Sequence, residues 1–222
     1  MDTLALDTAL RFVLCWEGGF VDHPDDPGGR TNRGVTQRVY DGWRARQALP
    51  AQDVKGIADA EVHAIYQTDY WLPPRCDLLE SPLGLVQFDT AVNMGVGRAV
   101  RFLQASVGCS VDGDFGAGTE RAVAACDSAT VLGAYCQRRE DFYRGLVQKN
   151  PKLAVFMKGW MNRLDALRHE AGVPGYPATR AGIDFGDAPY IARVPDFGKD
   201  PLLDAPLPRH ARRPQGALRR VD

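Results

Sequence analysis

The sequence predicts a mainly α fold, two helical parts followed by an extended tail. Three observations predict it. Apolar residues recur at helical spacing in one segment after another between residues 4 and 171, Gly or Pro separates these segments, and no alternating apolar and polar run marks a strand. With 222 residues, 45% of them hydrophobic, the chain can bury one sizeable core or two small ones.

Leu6, Leu10, Val13 and Leu14 form the apolar stripe of a first helix, which Gly18 and Gly19 should stop, so Glu17 falls in its last turn. The run over 20–36 is crowded with Pro, Gly, Asp and Asn and reads as a turn-rich loop or short irregular hairpin. Helical periodicity returns over 37–47. It returns again after Asp59, a plausible N-cap, with Val62, Ile65, Tyr66 and Tyr70 on one face and Pro73-Pro74 as the stop. Ser81-Pro82 reads as an N-cap and first-turn proline of an apolar helix through Leu85, Val86 and Val92 toward Gly95, and another helix follows from about Gly97. A turn over 111–116 leads to a helix carrying Val123, with Thr119 placed to cap it. Leu132, Tyr135, Arg139, Phe142 and Leu146 continue the helical period, and Phe156, Trp160, Leu164 and Leu167 give one more long helix. After Gly172 the composition turns to Pro, Gly and Arg without periodicity, so 173–222 is expected to be an extended tail. Its basic cluster of Arg209, His210, Arg212, Arg213, Arg219 and Arg220 is either a solvated terminus or a docking arm.

A formal charge of -1 gives no global reason to expect nucleic acid or an anionic membrane as partner. No stretch approaches the roughly 18 apolar residues of a membrane span, and the N-terminus lacks the basic, then apolar, pattern of a secretory signal. Synthesis in the cytoplasm without a signal peptide, and no stable membrane insertion, are the expectations. Cys15, Cys76, Cys109, Cys126 and Cys136 are odd in number and show no CxxC spacing, so they are expected to be buried thiols rather than disulfides. With four scattered histidines there is no zinc pattern, and no metal or other cofactor is expected. The aspartates of 22–26 lack the alternating ligands and distal glutamate of a calcium loop.

Chemistry concentrates at Glu17. A carboxyl at the C-terminal end of an apolar stripe is partly desolvated and meets the negative end of the helix dipole, and both effects favour its neutral form. A general acid needs that proton when a glycosidic oxygen departs. On position alone, an ordinary solvated helix end explains Glu17 as well. The loop that follows brings Asp22, Asp25 and Asp26 near glycine amides, Arg30 and Arg33, which favour an ionised carboxylate. Glycoside hydrolysis needs such a pair: about 6.5–9.5 Å of separation admits an attacking water and inverts, whereas about 5–5.5 Å gives a covalent intermediate.

Glu17-Gly18-Gly19-Phe20, then Asp26-Pro27-Gly28-Gly29, Thr31 and Gly34-Val35-Thr36, resemble the N-terminal signature of glycoside hydrolase family 108. Tyr70-Trp71 and the segment from Phe88 to Gly95 resemble the family's central helix. Gln104, Val111-Asp112-Gly113, Gly116, Thr119, Phe156, Gly159-Trp160 and Arg163 resemble the peptidoglycan-binding-like module that usually completes it. The resemblance covers about residues 4–171. It implies a lysozyme-like catalytic lobe over 1–95, a helical peptidoglycan-binding-like subdomain over 96–172, and an N-acetylmuramidase of the lysozyme type, as in phage endolysins and in hydrolases that release phage-like particles or toxins through the wall. It also implies Glu17 as the catalytic acid. The spacing to Asp26 and Thr31 resembles that of phage lysozymes, where such residues handle the water; Asp22 and Asp25 compete with Asp26.

Among further residues, Asn93 either binds a sugar N-acetyl group or satisfies buried backbone, and Tyr70 and Trp71 either stack on a saccharide or belong to the core. Gln87 is a weaker candidate for substrate binding. The implied substrate is the peptidoglycan glycan strand, met in the periplasm by a monomer; a holin, a secretion apparatus or a phage particle is a partner by resemblance only. The rivals are a lytic transglycosylase, which lets the muramic acid's own hydroxyl attack, a non-catalytic wall-binding structural protein, and a chitinase.

Overall fold

The computed structural model describes residues 3–22 and 29–175. Asp25, Asp26 and the tail from 176 onward lie outside the described residues. The described chain is mainly α. Its helices are α1 (Thr3–Glu17), α2 (Gln37–Arg46), α3 (Asp59–Tyr66), α4 (Leu83–Met94), α5 (Val96–Val107), α6 (Ala117–Ala124), α7 (Ser128–Lys149) and α8 (Ala154–Glu170). Between α1 and α2 lies a hairpin of β1 (Thr31–Asn32) and β2 (Val35–Thr36), paired antiparallel with Asn32 opposite Val35. Arg33 and Gly34 form its turn, both at positive φ (52° and 75°), which suits the right-handed twist of so tight a connection. A bridge from Val21 to Thr31 ties the hairpin back to the chain leaving α1.

The fold is arranged around α4. All 12 of its residues are buried, and α1, α5 and α7 pack on it. A helix buried on every side must be apolar all round or satisfy each polar group it carries. α4 carries Gln87, Asp89, Thr90 and Asn93. Gln87 accepts from the Tyr135 hydroxyl at 2.7 Å and donates to the Pro74 carbonyl, and Thr90 donates to the Val86 carbonyl one turn back. α7 packs on α4 and α5, and α8 packs on α7, with Tyr143 stacked on Trp160 at 5.0 Å between centroids. Gln104 of α5 pins the turn before α6: its Oε1 accepts from the amides of Asp112 and Gly113, and its Nε2 donates to Asp112 Oδ1 at 2.7 Å. Among the described residues no helix is long and apolar enough to cross a membrane.

Some local expectations change. Asp59 is the first residue of α3 rather than its cap; Ala58 holds the cap position, its amide donating to Glu61, while Asp59 pairs with Arg33. Pro82, after a cis peptide bond from Ser81, occupies the cap of α4, and Ser81 does not cap it. Thr119 lies inside α6 as a buried acceptor for Gln104, and Gly116 is the cap. Cys76 and Cys136 are buried and Cys109 and Cys126 half-buried, but Cys15 is exposed, because it falls on the outer face of α1.

Trp160 is fully buried, so Trp160→Ala opens a cavity under the α7–α8 pair. A loss of about 3–5 kcal/mol is expected, lowering the thermal midpoint by roughly 10 °C; circular dichroism melting checks it.

Candidate active site

Gly18, at φ 70°, stops α1 directly after Glu17. The carboxyl does not reach solvent from there: Glu17 is 3% exposed. Its Oε1 accepts from Arg163 Nη1 at 2.9 Å, a contact made 146 residues away in sequence by α8. On another side sits the hairpin turn. The Tyr66 hydroxyl of α3 donates to the Arg33 carbonyl at 2.9 Å and so holds the turn in place. A Cβ on Gly34 would stand 2.6 Å from Glu17 Oε2 and would also collide with the Tyr66 hydroxyl. Only glycine fits between the two.

Behind Arg163 lies Asp89. Arg163 Nε donates to Asp89 Oδ1 at 2.8 Å, with Nη2 at 2.8 Å from the same oxygen, and Arg139 of α7 donates from Nη1 to Oδ2 at 2.5 Å. Arg139 also reaches the Tyr143 hydroxyl with Nε at 3.0 Å, and that hydroxyl donates to Asn93 Oδ1 at 2.7 Å. One connected set therefore runs from Glu17 through Arg163, Asp89, Arg139 and Tyr143 to Asn93. Burial opposes the charge on Asp89 most strongly, but Arg163 and Arg139 together outweigh it and hold the carboxyl below its ordinary range. Burial likewise opposes the charge on Arg163, and Asp89 and Glu17 overcome it. Burial pushes the Tyr143 phenol up, so it serves as a neutral donor.

The expected site residues fall into different places. Thr31 is buried in β1, its amide and carbonyl paired with Val21 and its hydroxyl donating to the Gly29 carbonyl at 3.0 Å. It belongs to the hairpin that closes over Glu17. Asp22 is exposed beside Arg30 at 3.4 Å, and Arg30 also pairs with Asp53. Asn93 joins the buried network through Oδ1, while its Nδ2 has no acceptor among the described residues. Trp71 is interior, edge-on to Phe88 at 5.4 Å, because the chain widens into a π-helical turn over Gln67–Trp71 that rotates it inward. Tyr70 is half-buried against Tyr66 at 5.6 Å. Gln87 is interior with both ends of its amide engaged. Among the described residues no group of three or more His, Cys, Asp or Glu is arranged to hold a metal ion.

The sequence assigned Asp89, Arg139, Arg163, Tyr143 and Tyr66 no part in the site, although it placed Tyr66 and Arg139 in helical stripes and Asp89 and Arg163 within the family resemblance. A signal existed: Asp89, Arg139 and Arg163 sit at helix positions whose neighbours by period are core residues, and charges there need partners.

Asp89→Asn removes the carboxylate that two buried guanidinium groups share, leaving Arg163 with Glu17 alone, and is expected to cost about 3–5 kcal/mol. The sign of the pH effect follows from the lowered folded value. Stability from Asp89 is present above its unfolded value of about 3.9 and is lost as pH falls through the folded one, so the loss lies below about pH 4. Urea midpoints measured from neutral to acid pH should fall more steeply there for wild type than for Asp89→Asn.

Residues 10–95 match the family model for glycosyl hydrolase 108, and residues 98–165 match a model described as "Predicted Peptidoglycan domain". The solved structure of Brucella abortus SagA is 31% identical, with a TM-score of 0.66; the match covers 80% of this chain and 100% of that one. No curated protein matches the chain in sequence. A glutamate buried at the end of α1, under a glycine-turned hairpin, thus lies within the hydrolase match, and the arginine that meets it lies within the peptidoglycan-domain match: the chain belongs to the glycosyl hydrolase 108 family and is a glycoside hydrolase of peptidoglycan.

Proposed function

We propose that the chain is an N-acetylmuramidase that hydrolyses the β-1,4 bond between N-acetylmuramic acid and N-acetylglucosamine, with Glu17 as general acid. The placement of Glu17 supports this above all: a carboxyl that is buried, fixed at one oxygen by Arg163 and bordered at the other by Gly34 has the fixed orientation that proton delivery to a departing oxygen requires. Asp26, between α1 and the hairpin in sequence, would activate water with the help of Thr31. The uncommitted Nδ2 of Asn93 suits the carbonyl of a sugar N-acetyl group. Tyr70 keeps a partly exposed ring for the saccharide, a use for which the interior Trp71 and Gln87 are less suited. The setting we infer is the periplasmic face of the wall, where such cuts serve phage lysis, release of phage-like particles or a path for secretion.

Digestion of purified Gram-negative sacculi by wild type and Glu17→Gln, followed by mass spectrometry of the released muropeptides, tests the proposal. Reducing muramic ends are expected from wild type, with a loss of about a hundredfold or more in the variant. Anhydro ends would make the protein a transglycosylase, and binding without release from either form would make it a wall-binding scaffold. Gly34→Ala forces a side chain between Tyr66 and Glu17 at a positive φ. It is expected to lower kcat by about tenfold to a hundredfold while KM stays near wild type, as steady-state assays on soluble muropeptide oligomers would read.

A further inference from the structure

We infer that Arg163 is a positioning residue for Glu17, held in place by Asp89 so that it orients the catalytic carboxyl and steadies its charge once the proton has left. The inference rests on the proposal that Glu17 is the general acid. Arg163 donates Nε to Asp89 Oδ1, with Nη2 in ion contact at 2.8 Å, and presents Nη1 to Glu17 Oε1 at 2.9 Å. Arg139 grips the other oxygen of Asp89, so the carboxylate that fixes Arg163 is itself fixed from both sides. All three side chains are wholly interior.

This geometry resolves a conflict in the proposed chemistry. A buried arginine whose single counterion is the catalytic glutamate would be stranded each time that glutamate took up its proton, and stranding a buried charge is costly. Here Asp89 supplies a permanent counterion, so Glu17 can hold or release its proton without leaving Arg163 unpaired. In the proposed step the proton moves from Glu17 to the glycosidic oxygen and the electron pair of the C1–O bond stays on that oxygen. Glu17 is left as a carboxylate facing Arg163. Water then supplies hydroxide to C1, and its remaining proton restores the acid-base pair.

Among the described residues, the charged and titratable groups linked to Glu17 through the network or beside it include Asp89 of α4, Arg139 and Tyr143 of α7, Arg163 of α8, Tyr66 of α3 and, in the hairpin turn, Arg33, whose guanidinium is turned to Asp59. Arg163 touches Glu17 directly. Its segment is the one that matches the peptidoglycan-domain model. The second module therefore does more than border the site: it completes it.

Steady-state kinetics on soluble muropeptide oligomers, as a function of pH, test the inference with the full chain. Arg163→Met is expected to lower kcat about a hundredfold, with KM within about twofold. Loss of the cation removes the positive charge lying against the acid, so the kcat–pH profile changes shape, its alkaline limb moving to higher pH. Arg163→Lys keeps the charge but not the planar fork, and should restore the position of that limb with only part of kcat. A purely structural role would scale the whole profile down and leave its shape unchanged, which would overturn the inference. Should Arg163→Met fail to fold, the Lys variant is read beside NMR of Glu17→Gln. There the Arg163 Nε–H resonance should persist in slow exchange, since Asp89 holds it; its loss would overturn the inference. Activity retained by Glu17→Gln would defeat the assignment of the acid, whereas an inactive Glu17→Gln with wild-type-shaped Arg163 variants would defeat the positioning role alone.

Discussion

A charged carboxylate at the centre of the molecule, Asp89 on a helix with no exposed face, is the constraint to which the rest of the structure answers. Removing such a charge from water costs several kcal/mol, and the attraction of neighbouring cations recovers that only when the geometry is good. Two arginines from two other helices meet it, one on each oxygen. An apolar triad of similar volume could stabilise the core as well or better, so stability alone does not explain the arrangement. What it supplies is a fixed register of α4, α7 and α8 relative to one another, and through Arg163 a fixed place for the end of α1.

That register bears on how the two family matches relate. Residues 10–95 contain Glu17 and Asp89, whereas residues 98–165 contain Arg139, Tyr143 and Arg163. Every ion pair of the network crosses from one match to the other. The Tyr143 hydroxyl crosses the same divide to reach Asn93. The hairpin supplies the remaining side, where Gly34 leaves room for Glu17 that any side chain would take.

Much of this was legible in the sequence, for local reasons. The end of α1 at Gly18 and the hairpin within 20–36 follow from stripe, glycine and turn chemistry, and they place Glu17 without reference to the rest of the chain. Asp59 and Thr119 show the limit of cap signals read singly: Thr119 is drawn inside α6 by its bond to Gln104, and Asp59 by the start of α3 one residue earlier than a cap would allow. Trp71, open between saccharide stacking and core in the sequence, is interior, at the end of a π-helical turn that no regular helical period anticipates. The network was hidden for another reason. Its partners lie 50, 74 and 146 residues apart, and no window of local periodicity spans such distances. The sequence showed charged residues at core positions but not which would meet.

The most direct test is a crystal structure of Glu17→Gln with a peptidoglycan fragment long enough to span the scissile bond. A muramidase built on this carboxyl places the glycosidic oxygen within about 3 Å of the residue 17 side chain, with Arg163 still bridging it to Asp89. A glycan bound instead along the outer face of α7 and α8, remote from residue 17, would contradict the account and leave the chain as a binder of the wall.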